Sequence, residues 1–207
     1  MGVYNEQVVP RLVEWACGGA GFDEWRARTT EGLVGRVVEI GFGSGLNLPH
    51  YPPEVETVLA VEPAIVARRR AERRIREAHA HVEQVGLDGQ ALPLDDASCD
   101  AALCTFTLCT VPDPARALSE LLRVLKPNGT VHFLEHGLSP DPGVAKWQHR
   151  IEPFQRRLFD GCHLTRDPSS LAEQAGFVME RNEQRYVKGP KPWSWFTLGV
   201  AAKPAAS

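Results

Sequence analysis

Residues Val37 to Asn47 read Val-Val-Glu-Ile-Gly-Phe-Gly-Ser-Gly-Leu-Asn, an apolar run ending in an acid and three alternating glycines. With no side chains at Gly41, Gly43 and Gly45, the main chain can approach a ligand closely at the carboxyl end of a strand. A dinucleotide-binding loop wants glycine at position 46, where this chain has Leu46. Glu39, just before the loop, repels a pyrophosphate and suits a ligand carrying ammonium and sulfonium charge instead. Phe42, Ser44 and Asn47 complete the crook. A second acid, Glu62, followed by Pro63, ends the apolar run Val58 to Val61. It stands roughly 20 residues downstream, where a carboxylate accepts from ribose hydroxyls. A third, Asp88, precedes Gly89 and Gln90. Its carboxylate can accept from an adenine amino group while the Gly89 N–H serves a ring nitrogen. Each feature has a plainer alternative: a turn that serves only chain geometry, a surface pair between Glu62 and Arg68 to Arg70, an ordinary Asp-Gly turn.

Strand ends must hold these groups, and the chain supplies them. Runs rich in β-branched residues over 36–40, 57–61, 81–85, 100–105 and 130–135 alternate with helical stretches over 64–78 and 114–125, the pattern of a parallel sheet covered on both faces. Asp113 and Pro114 open the second helix, and Pro127-Asn128-Gly129 turns the chain into the fifth strand. Beyond Glu135, an amphipathic helix over 144–159 reads as an insertion above the sheet's edge. A short helix over 169–175 ends at Gly176, and strands over 177–187 and 195–203 close the sheet as an antiparallel pair.

With 207 residues, 43% hydrophobic and 24% charged, the chain fits one domain with a proper core. We divide it into an N-terminal helical lid (1–30), a cofactor-binding core (36–136) and substrate-side helices with closing strands (137–207). A formal charge of −3 offers no basic field for nucleic acid. The arginine-rich run from Arg68 to Glu77 spaces Arg68 with Glu72 and Arg73 with Glu77 at i,i+4, a solvated face. The five cysteines are scattered, without a C-x-x-C pair, which reads as reduced thiols in a cytoplasmic protein and no structural metal. With charged residues throughout, Met1 to Thr30 reads as neither a signal h-region nor a spanning segment, and no membrane anchor is expected there. The expected partner is a small molecule, and the expected state a monomer or weak homodimer.

Taken together, Glu39 to Asn47, Glu62-Pro63, Asp88 to Leu94 and Leu122 to Gly129 resemble, in order, the motifs of class I S-adenosylmethionine-dependent methyltransferases. The resemblance implies an α/β fold: a Rossmann-like seven-stranded, mostly parallel sheet with helices on both faces and an antiparallel last strand. It implies S-adenosyl-L-methionine as cofactor and S-adenosyl-L-homocysteine as product. Gly41, Gly43 and Gly45 would then line the cofactor, Glu62 hold its ribose, Asp88 and Gly89 address adenine, and Cys104-Thr105 border its methionine moiety. Leu103 to Val111, Phe133 to His136 and Phe159 to Arg166 resemble alkyl-thiol methyltransferases and their bacterial relatives in particular. The mammalian members carry a hydrophobic N-terminal anchor that Met1 to Thr30 does not supply.

Methyl transfer from a sulfonium is an in-line displacement, so alignment and exclusion of water supply much of its rate. A thiol acceptor of pKa near ~8.5 is mostly protonated at neutral pH, so a base helps. His136, directly after the fifth strand, is the candidate base, or else a structural hydrogen-bonding group. Glu135 either orients it or caps the strand. Asp160, Cys162 and His163 shape the acceptor pocket or form a glycine-centred turn. Trp193, Trp195 and Phe196, with Trp147 and Trp15, either roof an apolar site or pack the core. The acceptor class stays open between thiol, hydroxyl, quinone, lipid and secondary metabolite. An NAD-dependent oxidoreductase and a non-catalytic binding module are the rival readings.

Overall fold

The computed structural model describes residues 19–159 and 161–205. Helix α1 (Asp23–Thr30) leads into β1 (Gly35–Ile40), β2 (Val55–Val61), α2 (Ile65–Glu77), β3 (His81–Gly86), β4 (Cys99–Thr105), α3 (Pro114–Val124) and β5 (Leu125–His136). There follow α4 (Pro142–Leu158), α5 (Pro168–Gln174), β6 (Val178–Tyr186), a single turn α6 (Lys191–Ser194) and β7 (Trp195–Ala202). The seven strands lie in the order β3-β2-β1-β4-β5-β7-β6. Strands β1 to β5 run parallel, and β7 enters antiparallel to both neighbours. This is the mixed, mostly parallel sheet that the alternation of elements predicts. The last strand lies inside the sheet, between β5 and β6, and not at its margin.

The sheet carries an apolar layer on each face. Val38, Ile40, Cys104 and Phe133 pack with Leu118 and Leu121 of α3 and Ala172 of α5, while Val37, Val58 and Leu103 pack with Leu48, Tyr51 and Ala71. Central strands buried on both sides need such continuous apolar runs. The edge strands β3 and β6 are partly exposed and polar, which discourages pairing with another chain. Helices α3, α4 and α5 share one start signal. Asp113, Asp141 and Asp167 each accept from backbone N–H groups of the first turn, with proline beside them. Gly176 ends α5 at φ +101°.

The largest shift of a boundary from the sequence expectation is in β5. Strand β5 begins at Leu125, and the Pro-Asn-Gly turn is a bulge within it: pairing passes from Cys99–Leu125 to Ala101–Thr130. Asn128 takes φ +64° there, and a Cβ at Gly129 would lie 2.9 Å from the carbonyl oxygens of Asp100 and Lys126. Helix α4 spans the end of β5 and the connection into β7. Its buried Gln148 donates to the carbonyls of Gly137 (2.9 Å) and Pro192 (3.0 Å) and accepts from Ser139 N (2.9 Å). On the arginine-rich helix α2, Arg73 pairs with Glu77 as the i,i+4 spacing predicts. No helix among the described residues is long and apolar enough to cross a membrane.

Candidate active site

The crook after β1 has Gly41, Gly43 and Gly45 at φ +72°, +58° and +74°, all in the region that favours glycine. Their surroundings differ. A Cβ at Gly41 would sit 2.1 Å from Thr107 Oγ1 and one at Gly45 3.0 Å from Leu48 Cδ1, whereas one at Gly43 would meet nothing nearer than Gly41 O at 3.8 Å. The fold itself therefore demands two of these glycines, and Gly43 faces open space. Glu62, at the end of β2, reaches across to it: Oε2 accepts from Gly43 N and Oε1 from Ala64 N, both at 2.8 Å. Pro63 is exposed beside it, and the Ser44 carbonyl accepts from Arg74 of α2 at 2.9 Å.

Beneath the crook lies a buried polar network. Glu39 accepts from Asn47 Nδ2 (2.6 Å) and from the Tyr51 hydroxyl (2.8 Å). Asn47 Nδ2 also donates to Thr105 Oγ1 (2.9 Å), and Asn47 Oδ1 accepts from Arg26 of α1 (2.6 Å). Burial raises the Glu39 carboxyl from 4.5 to about 7 against the opposing pull of Asn47, Tyr51 and Arg26. A carboxyl that ionises later in the folded chain than in the unfolded one withdraws stability as pH rises between the two values, and no further above them. Relative to Glu39→Gln, wild type is therefore expected to lose roughly 2–3 kcal/mol of unfolding free energy across that interval. Urea unfolding from pH 4.5 to 8 measures this; parallel curves for the two proteins would refute it.

In the loop after β3, Asp88 Oδ1 accepts from both Gln90 N (2.8 Å) and Gln90 Nε2 (3.0 Å), closing an Asx turn. Gln90 Oε1 accepts in turn from Asp113 N at 2.9 Å. Gly89 is buried, and a Cβ there would come 2.4 Å from Ile40 Cγ2, so this loop lies directly against the end of β1. Two of the expected cofactor residues turn their side chains elsewhere. Phe42 packs in the core with Leu48 and Tyr51. Cys104 points into the opposite layer, toward α3 and α5, because alternate residues of a strand face opposite ways and Thr105 takes the crook's side. Only their main chains are left to border a ligand.

At the ends of β4 and β5 the loop over 106–111 turns sharply, with Phe106 at φ +54°. Glu135 is wholly buried and accepts from three successive amides of that loop: Thr107 N (2.7 Å), Leu108 N (2.9 Å) and Cys109 N (3.3 Å). It therefore anchors the loop. It does not orient His136, which as the next residue along the strand faces the other way. His136 Nε2 lies 3.1 Å from Cys162 Sγ, and Gln155 Nε2 lies 3.6 Å from the same sulfur. Burial lowers His136, and the pairing with Cys162 outweighs it to raise the imidazole above its usual value. His163 turns to Glu152 (3.1 Å), and Asp160 lies outside the described residues.

An aromatic wall stands beside His136. Phe196, its cross-strand partner, packs against Phe22, Trp25 and Phe106 with ring centroids 5.4–6.1 Å apart. Of the aromatic residues singled out from sequence that are described, only Phe196 joins this group. Trp195 packs edge-on to Tyr186, Trp193 donates to Gln155 Oε1, Trp147 is 58% exposed, and Trp15 lies outside the described residues. Phe22, Trp25, Arg26, Tyr51 and Phe106 escaped the sequence reading, because nothing local marks residues that meet only through the fold. The lid expected over 1–30 is described from residue 19 onward. There α1 is docked, with Arg26 on Asn47 and Thr30 Oγ1 donating to His50 O (2.6 Å).

Comparison with known proteins adds to this geometry. A family model described as a methyltransferase domain matches residues 38–133. The thiol S-methyltransferase TMT1B of Rattus norvegicus is 34% identical over 169 residues, covering 79% of this chain and 66% of its own. The Homo sapiens TMT1B is 34% identical over 175 residues, covering 81% and 69%. This chain thus spans about two thirds of the length of these relatives. Among solved structures, a putative methyltransferase from Bacillus halodurans superposes with a TM-score of 0.72 at 17% identity, covering 88% of this chain and 99% of that one.

Proposed function

Because the chain belongs to the S-adenosylmethionine-dependent methyltransferases, we propose that it binds S-adenosyl-L-methionine in the Gly41–Gly45 crook and methylates a small apolar thiol. One observation carries the cofactor site: Gly43 opens onto free space with the Glu62 carboxylate on its amide, a cradle that any side chain would fill. Glu62 accepts from the ribose hydroxyls, Asp88 and the Gly89 amide address adenine, and Asn47 with Thr105 borders the methionine end. Glu39 gives that end its negative character through Asn47. When bound, the cofactor supplies a methyl group on a sulfonium whose positive charge is lost on transfer.

The thiol assignment draws on the relatives' names, and the aromatic wall of Phe22, Trp25, Phe106 and Phe196 suits an apolar body. The reaction R–SH + donor gives R–S–CH3, S-adenosylhomocysteine and a proton. His136 is the side chain placed to take that proton, with the Phe196 side of the wall keeping water from the acceptor.

Calorimetry with S-adenosylhomocysteine tests the cofactor site; a labelled donor offered with thiols, phenols, quinols and amines tests the acceptor. Saturable binding and transfer to thiols above all others are expected; transfer to quinols or amines alone would overturn the thiol assignment. His136→Ala is expected to lower kcat about 100-fold while leaving S-adenosylhomocysteine affinity unchanged. An undiminished kcat would remove the imidazole from the reaction.

A further inference from the structure

Cys109, His136 and Cys162 come from three separate segments: the loop after β4, the end of β5 and the turn after α4. Their Sγ and ring-nitrogen atoms all lie within 4.8 Å of one another. The two cysteines are 3% and 7% exposed and free. Packing explains one buried thiol, which behaves as a small apolar group. It does not explain two thiols and an imidazole converging on one point.

We propose that these three side chains form a binding site for one soft cation of the zinc(II) type. Zinc bonds of about 2.3 Å to sulfur and about 2.0–2.1 Å to imidazole set neighbouring ligand atoms roughly 3.5–3.8 Å apart in a tetrahedron. The 3.1 Å between His136 Nε2 and Cys162 Sγ opens to that spacing with shifts of a few tenths of an ångström. Two thiolates and a neutral imidazole balance the ion's charge, so the protein interior gains no net charge. Both thiols give up their protons to solvent on loading, and no electron is transferred. Supporting contacts exist as well. Gln155 Nε2 stands at the Cys162 sulfur, and Glu135 fixes the loop that carries Cys109 through its backbone N–H. Three protein ligands leave a fourth position for water or another sulfur. The ion occupies the His136 imidazole that the proposed proton uptake uses, so zinc inhibits methyl transfer; this last step alone rests on the reading of His136 given above.

Cobalt(II) titrated into the fully reduced chain provides the test. Thiolate-to-cobalt charge-transfer bands and the visible bands of tetrahedral cobalt are expected, saturating at one ion per chain and displaced by zinc. Cys109→Ser and Cys162→Ser should each weaken binding at least about tenfold, and Cys99→Ala, at the far end of β4, should leave it unchanged. Absent bands in the reduced wild type, or bands that persist in both serine variants, would overturn the site. Calorimetry with S-adenosylhomocysteine on the same samples separates the two readings. A chain that binds the nucleoside without cobalt bands loses the metal site only, and one with the bands that ignores the nucleoside loses the methyltransferase reading only.

Discussion

Gly43→Val is expected to fold and yet to bind S-adenosylhomocysteine at least about 100-fold more weakly, a loss of about 2.7 kcal/mol. A Cβ at Gly43 meets no protein atom nearer than 3.8 Å, so the isopropyl group projects into the space assigned to the ligand. Its φ of +58° costs the folded chain roughly 1–2 kcal/mol, which a domain of ordinary stability survives. Gly41→Val serves as the contrast. There the new Cβ falls 2.1 Å from Thr107 Oγ1, and the damage should appear as unfolding, not as lost affinity in a folded protein. Circular dichroism followed by calorimetry distinguishes the two. A folded Gly43→Val protein with affinity within a few-fold of wild type would mean that the ligand lies elsewhere.

The second large effect concerns stability. Glu135 is fully buried and takes three loop amides on one carboxylate. Glu135→Ala strands those donors at about 1–3 kcal/mol each; set against the burial of a charge that the variant no longer carries, a net loss of about 3–5 kcal/mol in urea unfolding is expected. Glu135→Gln keeps one acceptor and should lose about half as much. Because the loop carries Phe106 and Cys109, turnover should fall with stability in both variants. A loss under about 1 kcal/mol for the alanine variant would show that the loop holds its shape without the acid.

Much of this fold is legible in the chain because its signals are local. Apolar runs mark the central strands, and an Asp-Pro pair announces each of α3, α4 and α5. The glycine crook, with Glu62 after the next strand, is likewise a pattern within about 25 residues of two neighbouring strand ends. The bulge at Asn128 was hidden because Pro-Asn-Gly signals a turn whether or not pairing continues through it. Arg26 on Asn47 and Glu135 on the 107–109 amides are side-chain contacts set by the folded register, which no spacing rule encodes. The Cys109, His136 and Cys162 cluster is the extreme case. Scattered cysteines argued against a metal, since familiar ligand spacings assume a single hairpin or loop, and here three remote segments converge.

The position of β7 between β5 and β6 also bears on synthesis. A ribosome releases the amino-terminal half first, so the crook and its acids can assemble early. The flank of β5 stays unpaired until residues 195–202 emerge, and β6 has no other neighbour to pair with. Phe196, which backs His136, therefore emerges well after the crook, and a nascent chain can form the Gly41–Gly45 crook before its aromatic wall is complete.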